Sequence, residues 1–200
     1  MRRRIDPPLN RAAHALAGAG VPADALTWAG FGAGMAAAGA VAFGAFAWGF
    51  ALFAANRVLD GLDGAVARLR GPSDRGGFLD ITLDFLVYAA LPLGFAVAAP
   101  TANALPAAVL LFTFIGTAST FLAYAIFAAK RGLTTARRGP KALFYLGGLA
   151  EGTETALVLA AMCLFPDAFA ILAYVFAAMC AVTAAVRLHR GAVTFPGPER

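Results

Sequence analysis

The chain has 200 residues, of which 60% are hydrophobic and 14% charged, and its mean hydropathy is +0.74. Soluble domains carry about a quarter charged residues, so this composition excludes an ordinary soluble protein and predicts a single all-α integral membrane domain over 1–200. The net charge of +5 does not point to nucleic acid, because the basic residues are sorted along the chain by topology rather than gathered in one patch.

Residues 1–20 open with Arg2, Arg3 and Arg4. From Pro8 they predict a short amphipathic juxtamembrane helix in the interface, with Leu9, Ala12, Ala13 and Leu16 on one face. Six apolar runs follow, at 24–43, 45–67, 77–98, 104–129, 143–164 and 168–187, each near the ~20 residues that span a bilayer. No cleavable leader is expected, since the first apolar run follows mixed sequence and has full span length. Pro22 and Asp24 suit a helix start. The first run is rich in small residues, among them Gly30, Gly32, Gly34 and Gly39, which predicts a closely packed inner helix. The fourth and sixth runs are bulkier and suit lipid contact or a subunit interface. Cys163 and Cys180 lie in the last two runs and read as packing residues.

The basic residues alternate with these runs. Arg2, Arg3, Arg4 and Arg11 precede the first; Arg68, Arg70 and Arg75 lie between the second and third; Lys130, Arg131, Arg137, Arg138 and Lys141 lie between the fourth and fifth; and Arg187, Arg190 and Arg200 close the chain. The connections near Gly44, Pro100 and Pro166 carry none. The positive-inside rule then puts both termini on the cytoplasmic side, in a multi-pass protein of the inner membrane, with anionic lipid headgroups as neighbours.

Four carboxylates interrupt the second and third runs. Asp60 and Asp63 are spaced i, i+3, and Asp80 and Asp84 i, i+4, so each pair shares a helix face. Intramembrane carboxylates are costly unless paired, metal-bound or wet, and converging carboxylates repel without a cation between them. A hard divalent ion, Mg²⁺ or Mn²⁺, as one ion or two, is the simplest partner. Arg57, one turn before Asp60, is the basic residue placed deep in a run and reads as a salt-bridge partner.

The stretch Asp60, Asp63, Gly64, Ala67, Arg68, Gly76, Asp80, Asp84 resembles the signature of the CDP-alcohol phosphatidyltransferase family, D-x2-D-G-x2-A-R-x8-G-x3-D-x3-D, with seven residues instead of eight between Arg68 and Gly76. The likeness is to bacterial members of the phosphatidylglycerophosphate and phosphatidylinositol-phosphate synthase type. It implies transfer of a phosphatidyl group from CDP-diacylglycerol to an alcohol acceptor with release of CMP, at a cytoplasm-facing site in a homodimer. Asp60, Asp63 and Asp80 are then metal ligands, and Asp84 is a further ligand or the general base. Gly64, Ala67, Arg68 and Gly76 serve nucleotide and phosphate. Val21–Thr27 resembles the family's P-N-x-L-T entry with Asp24 in place of Asn; Thr27 then faces the nucleotide, although a capped helix start accounts for the run as well.

A further acidic pair, Glu151 and Glu154, stands where the inositol-phosphate branch reads roughly I-A-E-R-x-E-R. Gly152 and Thr155 replace the two arginines, which argues against inositol phosphate as acceptor. The two glutamates, with Arg137, Arg138 and Lys141, form the expected acceptor pocket, while a structural salt bridge to Arg57 or to the 130–141 segment is the other reading. Two rival functions stay open: transfer of a CDP-linked headgroup onto diacylglycerol, and ion-coupled transport.

Overall fold

The chain turns where its apolar runs are interrupted by glycine and proline. The computed structural model describes residues 2–133 and 148–195, with side chains from Leu9 onward; Arg137, Arg138 and Lys141 lie outside the described residues. The described residues form seven α-helices and no strand: α1 Arg2–Gly18, α2 Ala23–Ala42, α3 Phe46–Arg70, α4 Asp74–Ala98, α5 Pro100–Lys130, α6 Gly152–Leu164 and α7 Phe169–Thr194, with a 3-10 turn Pro166–Ala168 before the last. The α2–α3 turn uses Gly44 at φ +76° and the α3–α4 turn uses Gly71 at φ +98°, a region in which a Cβ is strained.

This is an all-helical integral membrane protein. Among the described residues α2, α4, α5 and the Pro166–Thr194 stretch are long and apolar enough to cross a bilayer, while Gly152–Leu164 is a shorter apolar helix. α3 has 25 residues, enough in length, but it carries Arg57, Asp60 and Asp63 within its apolar part. α3, α4, α5 and α7 extend into polar flanks beyond the apolar runs that predicted them. α3 continues to Arg70 and α4 starts at Asp74, so the expected loop 69–75 shrinks to Gly71–Ser73.

Small residues set the α2 packing. A Cβ at Gly34 would meet Val87 at 2.5 Å, one at Gly94 would meet the Ala38 carbonyl at 2.6 Å, and one at Gly49 would meet Val41 at 2.5 Å. Helices approach this closely where dispersion rather than water drives association. Gly32 and Gly39 instead face open space and Trp28 is exposed, so α2 is inner on one side only. Behind it, Phe46, Phe95 and Phe169 form a stack with centroid spacings of 5.6 and 4.4 Å, joining α3, α4 and α7. Cys163 and Cys180 are buried, unbridged members of this core.

α1 departs from expectation. It begins at Arg2, and the residues that pack are Leu9, Ala13, Leu16 and Ala17 against Leu26, Ala65 and Val66, with Ala12 exposed. The spacing 9, 13, 16, 17 is the stripe a 3.6-residue period dictates, and it lies on the protein rather than only on the interface. Arg70 ties the end down, donating to the Ala17 carbonyl at 2.6 Å and the Gly20 carbonyl at 3.3 Å, at the end of α1 and just beyond it.

Candidate active site

The short Gly71–Ser73 turn reverses the chain into α4, and α3 and α4 both pack against α2, so the two acidic pairs reach the same depth. Ser73 caps α4 by accepting a hydrogen bond from the Gly76 N–H at 3.0 Å, which fixes where Asp80 and Asp84 fall along it. Asp60, Asp80 and Asp84 each offer a carboxylate oxygen within 4.8 Å of the others. Asp63 lines the same small cleft together with Thr27, Asn56 and Leu83. Asp63 is only 5% exposed, and its Oδ2 has no hydrogen-bond partner.

Arg57 is the counter-charge. Its Nη2 donates to Asp84 Oδ1 at 2.6 Å, and its Nη1 donates to Asp84 Oδ2 at 3.3 Å and Asp60 Oδ2 at 3.4 Å. The fork geometry makes the Asp84 pair bidentate. Nη1 also donates to the Tyr88 hydroxyl at 2.7 Å, and that hydroxyl donates to Asp84 Oδ2 at 3.3 Å. The guanidinium lies 5.0 Å from the Tyr88 ring centroid and 5.6 Å from that of Phe53, both within cation–π range. Asn56 holds it from behind, accepting from Arg57 Nε at 2.7 Å and donating to the Gly30 carbonyl of α2 at 2.9 Å. The salt bridge expected of Arg57 is therefore present.

Four carboxylates against one guanidinium leave three negative charges when all are ionised. A buried carboxylate oxygen with no donor is costly, and a hard cation satisfies it and the repulsion together. The donor set is all oxygen, as Mg²⁺ and Mn²⁺ prefer. The residues present fit such an ion.

The other expected residues fall around this cluster. The Thr27 hydroxyl donates to the Ala23 carbonyl at 3.2 Å within its own helix while the residue lines the aspartate cleft. Arg68 is exposed, and a Cβ at Gly64 would stand 3.4 Å from its Nη1, so the guanidinium lies over that glycine; Ala67 beside it is half-buried. The nearest neighbours of a Cβ at Gly76 are Ser73 Oγ at 3.2 Å and Asp24 Oδ1 at 3.6 Å. Asp24 also pairs with Arg75 Nε at 3.2 Å, joining the start of α2 to the start of α4.

The glutamate pair does not sit as one face of a continuous helix. α6 begins only at Gly152. Residues Gly148–Glu151 run irregularly against α7, where the Leu149 and Ala150 N–H groups donate to Thr183 Oγ1 at 3.0 and 3.1 Å. Glu151 folds back to accept from the Gly148 N–H at 3.1 Å, whereas Glu154 is exposed in the first turn of α6. Gly148 has its α-carbon against Thr183, where a Cβ would clash with the threonine side chain. Of the expected acceptor residues, Glu151 lines a cavity of about 610 Å³ between α4, α5, α6 and α7.

Three functional neighbours escaped the sequence reading. Asn56 and Tyr88 complete the Arg57 network; their spacing to Asp60 and Asp84, i−4 and i+4 on the same helix faces, is the signal that marks them. Arg187 reads as a cytoplasmic flank, yet α7 continues to Thr194 and buries it. It donates to the Thr117 carbonyl at 3.2 Å, lies 5.7 Å from the Phe121 centroid and lines the same cavity as Glu151.

Comparison with known proteins gives the family and the fold. The family model for CDP-alcohol phosphatidyltransferases matches residues 21–186. The chain is 46% identical over 197 residues to the inner membrane protein YnjF of Escherichia coli (strain K12), a match covering 98% of this chain and 96% of that protein. It is 47% identical over 87 residues to the archaetidylinositol phosphate synthase of Methanothermobacter thermautotrophicus, covering 43% of this chain and 41% of that protein. In fold it is similar to the phosphatidylinositol phosphate synthase (PgsA1) of Mycobacterium tuberculosis solved with CDP-DAG bound, at TM-score 0.68 and 24% identity over 96% and 97% of the two chains.

Proposed function

The chain belongs to the CDP-alcohol phosphatidyltransferase family and is an enzyme of that class, and on that premise we propose that it transfers a phosphatidyl group from CDP-diacylglycerol to an alcohol, releasing CMP. The observation that carries the reading is the convergence of Asp60, Asp80 and Asp84 beside the buried, donor-less Asp63 oxygen. The donor named with the solved relative of like fold, and the synthase activity named for the archaeal relative, support the choice of CDP-diacylglycerol. Family membership disfavours transport.

In the proposed reaction the acceptor oxygen attacks the phosphorus that bears diacylglycerol. A new P–O bond forms, the diphosphate P–O bond breaks, and its electron pair leaves on CMP. The acceptor proton passes to Asp84, whose two oxygens Arg57 and Tyr88 hold in place. Arg68 with Gly64, Ala67, Gly76 and Thr27 receives phosphate and cytidine. One or two Mg²⁺ or Mn²⁺ ions held by Asp60, Asp63, Asp80 and Asp84 would neutralise charge on the diphosphate when bound. We place both termini and the site on the cytoplasmic side of the inner membrane, with six spans α2–α7 in one domain over 1–200 and two copies per enzyme.

Purified protein with CDP-diacylglycerol and a panel of acceptors tests this directly. CMP release that requires a divalent ion supports the reading. Turnover of CDP-choline with diacylglycerol, and none of CDP-diacylglycerol, would put the diacylglycerol-directed reaction in its place.

A further inference from the structure

The cavity between α4, α5, α6 and α7 lies against the aspartate site yet has a different character. At about 610 Å³ it is within the usual size of ligand pockets. Its wall is mainly apolar, with Phe85, Phe114, Ile115, Ala118 and Phe121 contributing much of it. The charged groups lie toward one end. Arg187 stands seven residues beyond Cys180 on α7, about 10 Å at the helical rise, and both line the cavity. Arg187 meets Thr117 and Phe121 of α5, while Glu151 opens α6 beside it. In the topology proposed above this polar end is the cytoplasmic one and the apolar end points into the bilayer.

Two further observations bear on the occupant. Ile115 lines the cavity and is 68% exposed, so the cavity has a mouth on the flank of α5, the helix whose span is least covered by protein. Tyr88 forms part of the shared wall: the residue lines the cavity and its hydroxyl bonds Asp84. Arg187 and Glu151 bring groups of opposite sign to this end, where the head of an amphiphile would sit with its apolar body along the wall. A small polyol phosphate would leave the apolar wall wet.

From this placement we propose that the cavity is the acceptor site and that the acceptor is a lipid alcohol, with its hydroxyl at the Tyr88–Asp84 wall and its alkyl or acyl body along the apolar depth. The identity of the reaction rests on the function proposed above; the occupancy of the cavity does not. The lipid hydroxyl oxygen then bonds the phosphatidyl phosphorus, CMP leaves with the electron pair of the broken bond, and the proton goes to Asp84. The product is a phosphodiester joining two apolar bodies.

The test uses the full chain in nanodiscs and a monoacylglycerol bearing a diazirine on its acyl chain. Labelling is expected at Leu111, Phe114 and Cys180, at least tenfold weaker in Ala118→Trp or in Ala89→Leu, and unchanged by excess CDP-diacylglycerol. In turnover, monoacylglycerol is expected to support CMP release, and Ala118→Trp to raise its KM at least fivefold with the donor KM unmoved. Displacement of the label by CDP-diacylglycerol would give the cavity to the donor's own chain and overturn the proposal. So would label scattered over the outer surface, or CMP release with glycerol 3-phosphate but with no lipid alcohol. Label confined to the cavity without CMP release from any acceptor would support the lipid-alcohol site and count against the donor reading instead.

Discussion

Tyr88 separates two regions built in opposite ways. On one side the aspartate cluster comes from two helices joined by the three-residue turn Gly71–Ser73, and its parts are tied by charge. On the other, the cavity draws walls from α4, α5, α6 and α7, and apolar shape defines it. In the first, local register sets each acidic pair and α2, packed against both α3 and α4, brings the pairs together; the second exists only once α4, α5, α6 and α7 dock. Catalytic charge is thus held by ion pairing within the α2–α4 packing, while the space beside it is defined by apolar shape, where small changes of side-chain volume can retune it without moving the acids.

If that division holds, the largest effect comes from the charged side. Asp63→Asn and Asp60→Asn are expected to cut kcat by about 10³-fold, on the scale of losing a main electrostatic contact to the transition state, with the protein still folded by circular dichroism. Near-normal turnover in either would break the metal-site assignment. Arg57→Ala comes next. It strands Asp84 in a half-buried pair, so a lower Tm and a fall in kcat of about 10–100-fold should appear together. Tyr88→Phe sharpens the contrast further: it removes the hydroxyl facing Asp84 and keeps the ring, so kcat should drop while the acceptor KM holds. A change in acceptor KM alone would assign Tyr88 to the cavity side.

Packing substitutions are expected to act on stability alone. Gly94→Val must displace the Ala38 carbonyl contact at 2.6 Å, and overpacking of this kind costs about 1–3 kcal/mol, read as a lower Tm at nearly unchanged KM. The smallest effects distinguish the two glutamates. Glu154→Gln, at an exposed position, should leave Tm and both KM values within about twofold, as surface substitutions usually do. Glu151→Gln should alter the acceptor KM more than Glu154→Gln does, and equal effects would return both to one role.

The same division explains what was legible in the sequence. Asp60, Asp63, Asp80 and Asp84 could be paired from helical spacing because α3 and α4 run unbroken through them, whereas the packing of both helices on α2 that joins the pairs leaves no mark in the spacing. The salt bridge of Arg57 followed from the cost of an intramembrane cation. Apolar runs gave the helices, though α3 extends to Arg70 and α4 starts at Asp74 because helix continuation in polar flanks leaves no hydropathy signal. The Glu151–Glu154 face misled for a physical reason: spacing makes a shared face only if the helix is continuous, and Thr183 of α7 captures the Leu149 and Ala150 N–H groups instead. Arg187 looked like a flank because burial by Thr117 and Phe121 is a contact across 66 to 70 positions of sequence, which no local pattern carries.

If the four aspartates hold a divalent cation, Mn²⁺ binding followed by electron paramagnetic resonance on the purified chain shows it without reliance on turnover. Saturable Mn²⁺ binding is expected, displaced by Mg²⁺ and weakened at least tenfold by Asp63→Asn in a protein of native helix content. Binding of equal strength in the Asp63→Asn and Asp60→Asn variants, or none in the native chain while CMP release persists in excess chelator, would contradict it.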